Sequence, residues 1–232
     1  IKVDAQANGF YAPSSTAFGY DILLKNNGFF DLFRVTALTN PPGGCSSSGQ
    51  TGWGTWSIQS ETLLGAYPYP NNGLLFLEDN VWVRGQASST RINIASGRFP
   101  DNPATRSSIT VNNDIRYTSY DGQDIIGLIA QNNVNVGLIS NDVLRVDAAL
   151  IAQNGRVGRY SYGSACGSTR SRSQLTFFGI IGSNQRPAFY YSSSNGYQSR
   201  IYNYDANLLY GPPPSYPSAG NQYVQISWDE VK

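Results

Sequence analysis

The segment Leu128-Ile129-Ala130-Gln131-Asn132-Asn133-Val134-Asn135-Val136 carries an apolar strand into an Asn-containing kink and out into a second short strand. Leu150-Ile151-Ala152-Gln153-Asn154-Gly155-Arg156-Val157 repeats the figure. So do Leu75-Phe76-Leu77-Glu78-Asp79-Asn80-Val81-Trp82-Val83, Ile109-Thr110-Val111-Asn112-Asn113-Asp114-Ile115 and Ile180-Ile181-Gly182-Ser183-Asn184-Gln185-Arg186. Aligned this way, Asp79, Asn113, Asn132, Asn154 and Asn184 form one column. A coiled sheet makes such a column when each turn lies on the one before. A corner amide can donate to a neighbouring turn, and Asn tolerates the left-handed backbone of a sharp corner. The expected fold is all-β, a right-handed parallel β-helix (β-solenoid).

Return strands complete the turns at Arg91–Ala95, Leu144–Ala149 and Leu175–Gly179. Residues 1–60 do not follow the pattern and are read as an N-terminal cap or connecting β region. Strands are expected there at Tyr20–Lys25, Leu32–Leu38 and Trp56–Gln59, with a loop at Pro41-Pro42-Gly43-Gly44. The rungs occupy 61–204. Residues 205–232 form a Pro-rich exit, because Pro212-Pro213-Pro214 cannot sit in a paired strand, followed by a C-terminal strand at Val224–Trp228.

The chain has 232 residues, of which 40% are hydrophobic and only 13% charged, with a net charge of +1. A core can form, and the overall charge selects no partner. There is no His, which excludes Ser-His-Asp and Cys-His catalysis. Cys45 and Cys166 stand far apart in Gly/Ser-rich surroundings, a pattern that suits a disulfide and not zinc. No apolar run is long enough to span a bilayer. The chain opens on Ile1 without a signal peptide, which reads as a mature or proteolytic fragment.

Gly73-Leu74-Leu75-Phe76-Leu77-Glu78-Asp79-Asn80-Val81-Trp82-Val83-Arg84-Gly85 resembles the first rung of the β-solenoid domains in PilX-type pilus-associated bacterial proteins. Gly127–Asn132, Ala149–Gly155, Tyr204–Pro214 and Ile226–Glu230 extend the resemblance across roughly 60–232. It is closest in character to ComZ-like, competence-associated minor pilins. It implies an extracellular pilus-tip location, other pilins as partners, contact with incoming DNA during natural transformation, and an anchor outside this chain.

Charge is unevenly placed. Between Leu150 and Tyr204 there is no Asp or Glu, while Arg156, Arg159, Arg170, Arg172, Arg186 and Arg200 all fall there. Tyr160, Tyr162, Tyr190, Tyr191, Tyr197, Tyr202 and Tyr204 interleave with them. Guanidinium groups fork onto phosphates, and tyrosine rings offer stacking surface. The six arginines with Tyr160 and Tyr162 are therefore the candidate DNA-binding set, nonspecific and phosphate-directed.

Other readings stay open. A Tyr/Asn face would suit a structural or adhesive module that binds glycan or another pilin. A carbohydrate-active β-helix enzyme would need a carboxylate pair, with Asp121 and Asp124 or Asp142 and Asp147 as candidates. The expectation is a non-enzyme without cofactor or catalytic metal. Asn112-Asn113-Asp114 and Asn141-Asp142 are the places for a structural calcium.

Overall fold

The structure is a computed structural model and describes residues 1–46 and 57–216. A short helix, α1 (Lys2–Asn8), precedes β1 (Phe10–Ala12), β2 (Gly19–Leu24), β3 (Phe29–Leu38) and β4 (Ile58–Pro68). Next come β5 (Leu74–Leu77), β6 (Val81–Ala87), β7 (Arg91–Ser96), β8 (Ile109–Thr110), β9 (Ile115–Tyr117) and β10 (Ile125–Ala130). The remainder are β11 (Val134–Val136), β12 (Val143–Ala152), β13 (Val157–Arg159), β14 (Ser171–Ser183), β15 (Tyr190–Ser192) and β16 (Asn195–Tyr204). They join in one large, mainly parallel sheet that does not close on itself.

Three parallel ladders organise it. In the first, β1, β5, β7, β10 and the second halves of β12 and β14 align Phe10, Leu75, Ile94, Leu128, Leu150 and Ile181. In the second, β2, β6, β8, β11 and β13 align Tyr20, Val81, Ile109, Val134 and Val157. In the third, Leu24, Gly85, Ile115, Val146, Phe177 and Tyr202 stand side by side. The inward side chains of all three meet in one core that includes Leu75, Ile94, Leu128, Val134, Val146 and Phe177. Full burial of such a side chain contributes about 1.5–3 kcal/mol.

Both faces of the first ladder are covered, which explains why β10 is apolar at every position. Outside it, Phe76, Ala95 and Ile129 pack with Ala5 of α1, and Tyr216 joins them. The chain reaches Tyr216 by crossing the ladder. Arg91 Nη2 donates to Pro212 O at 3.0 Å and Asn93 Nδ2 to Pro214 O at 2.8 Å. The prolines thus form a strap across the strands.

The corners explain part of the Asn column. Asn154 Nδ2 donates to Gln131 O at 2.7 Å, and Asn184 Nδ2 donates to Asn154 O at 3.2 Å. Asn132 and Asn154 follow Ala130 and Ala152 by two residues, as Asp79 follows Leu77, and these three are in register. Ser183 is in register with Ala152, so Asn184 follows the corner by one residue instead of two. Asn113 does not belong to this corner. It sits between the second and third ladders, where Nδ2 donates to Asn141 Oδ1 at 3.2 Å.

β1 and β2 already pair in parallel with the later strands, so the ladders start before residue 60. That boundary falls inside β4. The antiparallel part is β2–β3–β4. The expected Cys45–Cys166 disulfide is present, linking residues 121 apart with Cα atoms 4.4 Å apart. Trp56 and the strand expected at Val224–Trp228 lie outside the described residues. Among the described residues, no helix is long and apolar enough to cross a membrane.

Candidate functional site

Arg159 ends β13 and is fully buried. Its Nη2 donates to Leu138 O at 3.0 Å and Thr169 O at 2.8 Å, and its Nη1 to Ser140 Oγ at 2.9 Å and to Gly137 O. The rings of Tyr162 and Tyr197 flank it at 5.1 and 5.7 Å. Burial pulls its pKa below the usual arginine range, against the nearby tyrosines, and the Arg172 charge adds to the fall.

Other arginines gather on the same frame. Arg172 Nη2 donates to Leu138 O at 3.0 Å. Arg156 Nη2 donates to Arg159 O at 3.1 Å, and its guanidinium lies 5.2 Å from the Tyr160 ring. Tyr191 Oη donates to that same Arg159 carbonyl at 2.7 Å. Arg200 stacks on Tyr190 at 4.3 Å and donates to Gln198 O at 3.1 Å. Among the described residues, no ion pair involves Arg159, Arg170, Arg172 or Arg200.

The candidate residues therefore divide by depth. Arg159, Tyr160 and Tyr162 are interior. Arg156, Arg170 and Arg172 are half-buried, and Arg186 and Arg200 are exposed. Arg170 lines a surface hollow of about 430 Å³ with Ser164, Ser168, Ser171, Ser193 and Ser194. Arg186 lies in the corner after Ser183 and shares none of these contacts. The rings open to a ligand are Tyr190, Tyr191, Tyr202 and Tyr204, exposed by 42, 37, 52 and 54%. For Tyr202 and Tyr204 the signal is positional: among the described residues β16 is the last parallel strand of its ladder, while Tyr190 and Tyr191 lie on β15, paired antiparallel at its edge.

The carboxylates considered for catalysis hold structure. Asp121 accepts from Gln123 N in a turn, and Asp124 accepts from Thr118 N and Ser119 N. Buried Asp147 accepts from Tyr120 Oη and Arg145 Nε. Exposed Asp142 accepts from Ser173 N and Oγ; the Ser173 hydroxyl is the main reason its carboxyl lies below its ordinary range. Asp114 accepts from Arg116, Asn141 Nδ2 and Arg145 N. Among the described residues, no three acidic, His or Cys side chains converge to hold a metal ion. No family model, curated protein or solved structure matches the chain.

Proposed function

We propose that this chain is a non-enzymatic, right-handed β-solenoid domain that binds DNA through its phosphates without reading sequence. The solenoid reading is supported by the order of the strands. From β7 through β14 the chain visits first, second and third ladder in turn, and parallel crossovers are right-handed as a rule.

One observation carries the DNA reading. Arg159 and Arg172 bind one carbonyl, Arg156 binds the carbonyl of Arg159, and Arg200 lies beside them on the Tyr197 carbonyl. The buried member is solvated by carbonyls and rings instead of a carboxylate. Its charge is therefore not cancelled locally, and a phosphate at the surface can answer it. Arg170, Arg172 and Arg200 supply donors at the surface, and the exposed tyrosines supply stacking planes.

The disulfide suits an oxidising, extracellular setting. Placement at a pilus tip, with other pilins as partners, rests on the likeness of Gly73–Gly85 and Tyr204–Pro214 to PilX-type domains. The test is a salt-dependent titration of random-sequence DNA against the protein and its Arg170→Ala/Arg172→Ala/Arg200→Ala variant. Unchanged affinity in the variant refutes the site. Salt-insensitive binding would point to glycan or protein instead.

A further inference from the structure

On the far side of the sheet from its core, β2, β4 and β6 bring together three ionisable side chains. Asp21 is in register with Trp82 on β6 and Phe33 on β3, and Val35 on β3 is in register with Glu61 on β4. Arg84 lies two residues beyond Trp82 and so shares that face. Its Nε donates to Asp21 Oδ2 at 2.8 Å and its Nη2 to Glu61 Oε1 at 3.0 Å. The guanidinium also rests 5.6 Å from the Phe33 ring.

One guanidinium thus serves two carboxyl groups, using one oxygen of each. The other oxygens, Asp21 Oδ1 and Glu61 Oε2, are buried and receive no donor among the described residues. Two ionised carboxylates would leave an uncompensated charge and two bare acceptors in a medium of low dielectric. Both carboxyl groups bond to the one guanidinium, so a single proton on the pair removes the excess charge and leaves one negative charge for Arg84. We propose that Asp21 and Glu61 share one proton, and that this bridged pair, clamped by Arg84, is a pH-sensitive latch fastening β4 to β2 and β6.

Burial is the main cause of a raised Asp21 pKa; the Glu61 charge adds to the rise and Arg84 opposes it. The other charged groups on this face pair among themselves, Lys25 with Asp31 at 2.7 Å and, along from Arg84 on β9, Arg116 with Asp114. Arg34 alternates to the opposite face. When the proton leaves, two carboxylates face one guanidinium, and the strand free to yield is β4. Among the described residues it pairs only with β3 and leaves Leu63 and Leu64 exposed. Beside the latch lies a cleft of about 480 Å³ lined by Gln59, Ser60, Trp82, Asn112, Asn113 and Ile139, which a moving β4 would reshape. The inference is independent of DNA binding.

Infrared difference spectroscopy tests it directly. Folded wild-type protein at pH 6 should show a protonated-carboxyl stretch that disappears at pH 8.5 and is absent from Asp21→Asn. At pH 8.5 the amides of 58–68 should exchange several-fold faster in wild type than in Asp21→Asn, whose amide can donate to Glu61 at any pH. Glu61→Gln is the second variant, used if Asp21→Asn fails to fold. Identical carboxyl bands in wild type and variant at pH 6, or equal β4 exchange at pH 8.5, overturns the latch.

Discussion

Arg159 and Arg172 donate to the same carbonyl oxygen, that of Leu138, at 3.0 Å each. Two like charges converge on one peptide dipole, and no carboxylate joins them in an ion pair among the described residues. Carbonyls and tyrosine rings take the place of the counter-ion. Such an arrangement couples the stability of the loop around Leu138 to the positive charge of the surface above it.

Arg159→Ala should be strongly destabilising. It strips the Arg159 donors from the carbonyls of Gly137 and Thr169 and leaves Leu138 O with Arg172 alone. Buried acceptors left bare cost ~1–3 kcal/mol each, so a loss of about 3 kcal/mol or more is expected in urea unfolding. Arg159→Lys keeps the charge without the planar fork and should recover only part of it. A loss below 1 kcal/mol would contradict the buried frame.

DNA affinity should report the surface arginines. Each phosphate contact contributes about 0.9 to the slope of log K against log salt on duplex DNA. Replacing Arg170, Arg172 and Arg200 by Ala should flatten that slope by roughly 2–3. Arg186→Ala, away from the cluster, should change it little.

Reduction of Cys45–Cys166 should lower stability by about 4–5 kcal/mol on the chain-entropy model, given the 121-residue separation. Melting curves of wild type and a Cys45→Ser/Cys166→Ser variant, with and without reductant, check this. The variant should be insensitive to reductant.

The pH dependence has a definite sign. Asp21 is pushed up to about 7 in the folded chain, from an ordinary value of about 4. Its contribution is fully present below that ordinary value and is lost as pH rises to 7. Wild type should therefore lose on the order of 2–4 kcal/mol relative to Asp21→Asn between about pH 4 and 7. Parallel stability profiles for the two proteins would count against a raised Asp21.

Gly155→Ala should strain the corner it occupies. A Cβ there would stand 2.1 Å from Asn133 Oδ1, the atom that accepts from Arg156 N at 2.8 Å. Overpacking of this kind costs about 1–3 kcal/mol. Combining it with Asn133→Ala should give less than the sum of the two losses, since the clashing atom is then gone.

Much of the architecture is legible from local pattern. Alternation of Leu, Ile and Val marks the strands of the first and second ladders. The Gln-Asn pairs at Gln131-Asn132 and Gln153-Asn154 mark a shared corner. Asn113 has neighbours of the same composition but turns a different corner, because the corner depends on which ladder the preceding strand joins. The strand at Tyr20–Lys25 is legible, but the parallel pairing of β1 and β2 is not, because their partners, Leu75–Leu77 and Val81–Gly85, lie some sixty residues on.

Sequence alone determined where apolar strands run and that a section of chain is basic, because each is set by residue type within a short window; the cysteine pair was legible because the chain has only two, both in Gly/Ser-rich surroundings. Tertiary structure alone decided which cations face inward and which acids meet. Arg159 is interior because the loop at Gly137–Ser140 and the turn at Thr169 close over it. Asp21, Glu61 and Arg84 meet because three strands separated along the chain share one face of the sheet. Depth and encounter depend on long-range pairing, which leaves no mark on a residue's immediate neighbours.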